Sequence, residues 1–108
     1  MILTDETKLD FERWLHSNDV LIKDGIYDDT YLTDVFDKLP LNLQYASIIE
    51  WFDSVGIYVN SSGLTLSKAF ISDVSVDNNC EYNYDGFRTR KEALTEAIKK
   101  ANEIYNSK

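Results

Sequence analysis

Apolar side chains recur along this chain first at helical spacing, then in alternation, then at helical spacing again. Phe11, Trp14 and Leu15 fall at i, i+3 and i+4. They mark one face of a helix that opens at a Thr4 or Asp5 cap and ends near Asn18, with Asp10, Glu12 and Arg13 pointing elsewhere. Asp5 and Glu6 fall in its first turn, where the helix dipole favours negative charge. Val20-Leu21-Ile22 closes at the turn signal Asp24-Gly25 and reads as an extended segment or a helical extension rather than a strand. Asp28-Asp29-Thr30 offers caps for a short helix carrying Tyr31, Leu32, Val35 and Phe36.

Pro40 starts the third helix, because proline suits a first helical turn and restricts the residue before it. Leu41, Tyr45, Ile48, Ile49, Trp51, Phe52 and Val55 form a stripe wide enough to be buried against more than one neighbour, and Gly56 ends the helix. The period then changes. Ile57-Tyr58-Val59 predicts a strand, Asn60-Ser61-Ser62-Gly63 a loop, and Leu64 to Lys68 is ambiguous. Ala69 to Val76 alternates around Phe70, Ile71, Val74 and Val76, with an irregularity near Ser72-Asp73. Asp77-Asn78-Asn79 predicts a hairpin turn. Cys80 to Tyr84 alternates, which places Cys80, Tyr82 and Tyr84 on one side, and Asp85-Gly86 ends that strand. Thr89 and Glu92 have capping-box spacing, and Leu94, Ala97, Ile98, Ala101, Ile104 and Tyr105 continue as one helical stripe to about Asn106. Glu96 and Lys100 are spaced for an i, i+4 pair.

The predicted order is α-α-α-β-β-β-α. This is an α+β fold in which a three-stranded antiparallel β-meander packs against helices, within one domain spanning residues 1–108. With 44% hydrophobic residues and 13% aromatic ones, the chain has the material for a folded core. No apolar run is long enough to cross a bilayer, so no membrane role is expected. The N-terminal residues turn acidic at once, unlike a signal peptide, and Cys80 stands alone, so the expected setting is cytoplasmic.

Charge is unevenly spread. Residues 1–58 carry four basic and twelve acidic groups, which accounts for the whole net charge of -8, while residues 59–108 carry seven of each sign. An acidic half disfavours nucleic acid as a partner and suits solubility or a basic protein surface. Little chemistry is visible. His16 suits the C-terminal end of its helix, Cys80 reads as buried packing, and no metal-ligand spacing or phosphate-binding glycine loop occurs. No catalytic residue, metal or cofactor is therefore expected.

Arg88, Arg90 and Lys91 run against this pattern, because cations at a helix start do nothing for the helix itself. With Tyr82 and Tyr84 nearby in sequence, they are the candidate contact for an anion or a partner. The simplest role for the three cations is pairing with the acidic N-terminal half.

Three stretches carry a resemblance: Thr7 to Leu15, Leu39-Pro40 followed by Trp51 to Ile57, and Arg90 to Ala93 with Ala97 to Asn106. They resemble small uncharacterised proteins of phages and prophage-like elements of gut Bacteroidetes. The resemblance implies a mobile-element origin and a host-cytoplasmic setting, and carries no function. Residues 40–106, read as α-β-β-β-α, are similar in topology to double-stranded-RNA-binding domains. There the basic start of the last helix grips phosphates, and Arg88, Arg90 and Lys91 hold that place here. The preceding loop lacks that family's Gly- and Lys-rich character. The leading expectation is a non-enzymatic protein-interaction module with an unidentified protein partner, the aromatic surplus also fitting a homodimer. The alternative is a nucleic-acid-binding module.

Overall fold

The computed structural model describes residues 1–18, 36–64 and 69–108. Helix α1 spans Asp5–Asn18. Residues 36–38 are helical and are labelled α2. Helix α3 spans Leu41–Ser54, strands β1, β2 and β3 span Ile57–Leu64, Ala69–Val76 and Asn79–Phe87, and helix α4 spans Arg90–Asn106. The expected order α-α-α-β-β-β-α holds. The extended segment or helical extension expected at Val20 to Ile22, the helix caps at Asp28 to Thr30 and the segment from Thr65 to Lys68 lie outside the described residues.

The three strands form an antiparallel sheet in the order β1-β2-β3. Asp77 and Asn78, with φ of 51° and 68°, make the two-residue turn between β2 and β3. Both being left-handed matches the turn twist that a tight hairpin needs. Gly56, at φ 83° with no atom near its missing Cβ, turns the chain from α3 into β1.

Helix α4 lies across β1 and β2, α3 packs beside it against β1, and α1 packs on α4 and α3. Ala93, Ala97 and Ala101, all fully buried, recur every four residues and let α4 approach the sheet closely. The core joins Leu3, Phe11 and Leu15 of the N-terminal segment to Phe36, to Ile48, Trp51 and Phe52 of α3, and to Ile57, Val59 and Val74 of the sheet. Phe11 stands edge-on to Phe36 and Trp51 at centroid separations of 5.2 and 5.7 Å. Removing a ring so placed typically costs about 3–5 kcal/mol.

The polar run Asn60-Ser61-Ser62-Gly63 is not a loop. It continues β1, each residue paired with β2 from Asn60↔Asp73 to Gly63↔Phe70. The backbone ladder holds it extended although its side chains carry no apolar alternation. Its Ser61 opposes Ser72, and both hydroxyls are buried with no hydrogen-bond partner among the described residues.

Strand β3 differs most from expectation. Ser75 opposes Cys80 and Val74 opposes Tyr82, so Glu81 is an extra residue in β3. This bulge reverses the alternation. Tyr82 turns to the helices with Val74, and Cys80 turns to the open face with Ser75. Cys80 is therefore exposed rather than buried in packing, with its Sγ 3.6 Å from Asp73 Oδ1. A second extra residue falls at Asp85-Gly86, where Gly86 takes φ 97° and β3 continues to Phe87 instead of ending. The irregularity expected in β2 thus belongs to its partner strand.

Asparagines at the end of α4 lock α1 in place. Thr4 N–H donates to Asn102 Oδ1 at 3.0 Å, and Asn102 Nδ2 donates to Thr4 Oγ1 at 3.0 Å. Thr7 N–H donates to Asn106 Oδ1 at 3.0 Å, and Asn106 Nδ2 donates to the Thr4 carbonyl at 3.2 Å. The first turn of α1 is thus capped from another helix, a role usually filled by a residue of the same chain segment. Asp10, expected to face outward, accepts a 2.6 Å hydrogen bond from the Tyr105 hydroxyl and also pairs with Arg13 at 2.8 Å. The Glu96–Lys100 pair expected on α4 is replaced by Lys99–Glu96 and Lys100–Glu103, each at 3.5 Å.

Candidate functional site

The first turns of α3 and α4 lie side by side and enclose a groove of about 380 Å³ lined by Leu41, Asn42, Tyr45, Arg90, Lys91 and Leu94. Each helix contributes positions i, i+1 and i+4, the three that share the flank of a first turn. Leu41, Tyr45 and Leu94 give the groove an apolar floor; Arg90 and Lys91 put two cations on its rim.

The floor is held rigidly. Tyr45 is buried and its hydroxyl lies 2.8 Å from Thr95 Oγ1. Thr95 Oγ1 donates its single proton to the Lys91 carbonyl at 2.8 Å, so the phenol is the donor in the Tyr45–Thr95 bond. That chain of two bonds ties α3 to the first turn of α4. Thr89 caps α4, its Oγ1 accepting from Glu92 N–H at 3.1 Å, which is one half of the anticipated capping box. Helix α3 begins differently. Pro40 precedes it with no side-chain cap bond, and its first turn holds no acidic residue. Leu41 remains 37% exposed there, although the stripe placed it with the core.

The pairing anticipated for Arg88, Arg90 and Lys91 with acidic residues is not found: among the described residues no carboxylate lies within 4.0 Å of any of the three. Two carboxylates of α1 are engaged locally instead, Asp10 with Arg13 and Glu12 with Lys8. Arg90 rests its guanidinium 5.7 Å from the centroid of Phe70, a contact that orients the side chain without neutralising it. Arg88 is exposed just before α4 and does not line the groove.

The two tyrosines named with these cations are not brought into the groove. Tyr82 is half-buried over α4, with Lys100 Nζ 6.0 Å from its ring centroid, and borders a separate hollow with Glu96, Lys99 and Glu103. Burial first, and then the charges of Glu96 and Tyr84, hold its hydroxyl above the usual tyrosine range. Tyr84 is 59% exposed and stands edge-on to Phe87 at 5.5 Å. Phe87 connects indirectly to the cations, sharing a hollow of about 290 Å³ with Lys91, Glu92 and Thr95.

Nothing brings His16 and Cys80 together, because His16 is on α1, on the helical side, and Cys80 is on the open face of the sheet. Among the described residues no three His, Cys, Asp or Glu side chains are grouped to hold a metal ion, and no helix is long and apolar enough to cross a membrane. Charge at a helix start singles out Arg90 and Lys91, but Leu41 and Tyr45 read only as part of a core stripe and Asn42 is not singled out, because the proximity of two helix starts far apart in sequence is a property of the fold. No family model, curated protein or solved structure matches this chain.

Proposed function

We propose that this chain is a non-enzymatic protein-interaction module that docks a partner in the groove between α3 and α4. The observation that carries this reading is the apolar floor beside Arg90 and Lys91, two cations with no carboxylate within 4.0 Å among the described residues. Such a combination costs stability unless a partner uses it: the exposed Leu41 gives up burial, and cations sit at the wrong end of a helix dipole. The setting we propose is a cytoplasmic accessory factor of the kind that phages and prophage-like elements encode, as the resemblance of Thr7 to Leu15 and Arg90 to Asn106 supports.

Leu41→Asp tests the docking surface without endangering the fold, since an acidic residue suits a helix start. It places a carboxylate on the groove floor. Wild-type protein immobilised in host lysate should retain specific proteins that Leu41→Asp protein of unchanged circular dichroism does not. Equal retention by both, or none by either, removes the reading. Light scattering after size exclusion separates a homodimer from a foreign partner.

A second reading is favoured by one specific observation. The run α3-β1-β2-β3-α4, with its helices on one face and unpaired Arg88, Arg90 and Lys91 opening α4, supports a nucleic-acid-binding module. A gel shift with duplex RNA or DNA, steep in salt and lost in the Arg88/Arg90/Lys91 triple-alanine variant, is the expected result for that reading. No shift at low salt rejects it.

A further inference from the structure

Resting on the interaction-module reading, we infer that the α3–α4 groove takes an acidic, amphipathic peptide segment. Its carboxylates meet Arg90 and Lys91 at the rim, and its apolar side chains lie on Leu41, Tyr45 and Leu94. Three independent features select this occupant. The rim is cationic, and among the described residues no carboxylate lies within 4.0 Å of Arg90 or Lys91, the ion pairs of α4 lying further along the helix at Lys99–Glu96 and Lys100–Glu103. The opening turn of α3 has no side-chain cap and no acidic residue; Leu43 and Gln44 N–H turn back to the Pro40 carbonyl, and the positive end of the helix dipole beside the groove still favours negative charge there. The floor is apolar and braced through Tyr45, Thr95 and the Lys91 carbonyl, so it anchors side chains as well as charge.

The same features argue against a polyanion. A nucleic-acid backbone asks for a long basic track, and this groove offers two cations on a chain of net charge -8. A peptide brings only a few negative charges, and its apolar residues use the floor that phosphates would leave empty. Such pairing of anchors with a charged rim sets both the orientation and the specificity of a docked segment.

The test is fluorescence anisotropy on the full chain with four labelled probes: a peptide alternating Glu with Leu and Phe, polyglutamate, the Lys-for-Glu counterpart of the first peptide, and a short RNA duplex. The Glu/Leu/Phe peptide should bind best. Arg90→Glu/Lys91→Glu should weaken it by about tenfold or more and improve binding of the Lys counterpart. Glutamates at the start of α4 favour the helix, so an unchanged or raised Tm would show that lost binding is not lost folding.

Undiminished binding by the double variant overturns the inference, as does polyglutamate binding equally well, the duplex binding more tightly through the same two residues, or no probe binding at all. Lysate capture separates this failure from that of the module reading. Capture lost in Leu41→Asp but kept in the charge-reversed variant retains the module and discards the acidic partner. Capture that neither variant alters discards both.

Discussion

Asn106 Oδ1 accepts both the backbone N–H of Thr7, at 3.0 Å, and its hydroxyl, at 2.6 Å. One side chain near the end of α4 thereby satisfies a donor in the first turn of α1 that helical geometry leaves without a partner. Asn106→Ala should cost about 1–2 kcal/mol in urea unfolding. Thr7→Val, which keeps the shape and loses the hydroxyl, should cost less. The two losses should not add, because each removes the same contact. Strict additivity would show that the two residues act separately.

The Tyr105 hydroxyl is pushed up to about 12 by its hydrogen bond to Asp10 first, then by burial and by the charges of Asp10 and Glu6, with Arg13 opposing. The proton is held more tightly in the folded state than at the ordinary value of 10.0. The resulting stability is fully present below that ordinary value and is lost as pH rises through the folded one. Stability measured by denaturant titration should therefore fall between about pH 10 and pH 12, and the fall should be shallower in Tyr105→Phe. Matching curves for the two proteins in that window would contradict this assignment.

Ser72 is fully buried on the sheet face that meets α4, yet its hydroxyl has no partner among the described residues. An unsatisfied buried hydroxyl costs about 1–3 kcal/mol in desolvation. Removing it for so little lost volume should leave Ser72→Ala as stable as wild type, or more stable by up to about 1 kcal/mol. A clear drop in Tm would reveal a hydrogen bond that the geometry does not contain.

Cys80 offers a direct check on the register of β3. Turned outward by the bulge at Glu81, it should react stoichiometrically with a thiol reagent in the native protein, without denaturant. A thiol that stays protected until the protein unfolds would restore the unbroken alternation. Cys80→Ser should change stability by no more than about 0.5 kcal/mol, as expected for a surface substitution.

Those residues also show where sequence reading succeeds and where it stops. The helical stripes were legible because burial on one face leaves a periodic trace: Phe11 with Leu15, Ile48 with Phe52, and Ala97 with Ile98 and Ala101 all lie in the core. The turn at Asp77-Asn78 was legible from residue types that tolerate left-handed backbone. The bulge at Glu81 was not, because Cys80 to Tyr84 alternates and nothing local marks the inserted residue. The polar length of β1 was hidden because pairing with β2, rather than side-chain burial, fixes it. Asn102 and Asn106 stand outside the apolar stripe of α4 and nothing local marks their role, since their partners Thr4 and Thr7 lie nearly the whole chain away. For the groove, the cations could be named, but their freedom from carboxylates depends on where α1 spends its own acids.

Strand β3 forms one edge of the sheet, and an edge usually invites another chain to add itself by backbone pairing. Here the row of free donors and acceptors is broken twice, at Glu81 and at Asp85-Gly86. A strand laid alongside would keep its register for only a few residues before meeting a step and a carboxylate. Crowded copies of this protein therefore meet no straight rail along β3, and the insertion that faces Cys80 toward solvent also disfavours fibril growth from this edge.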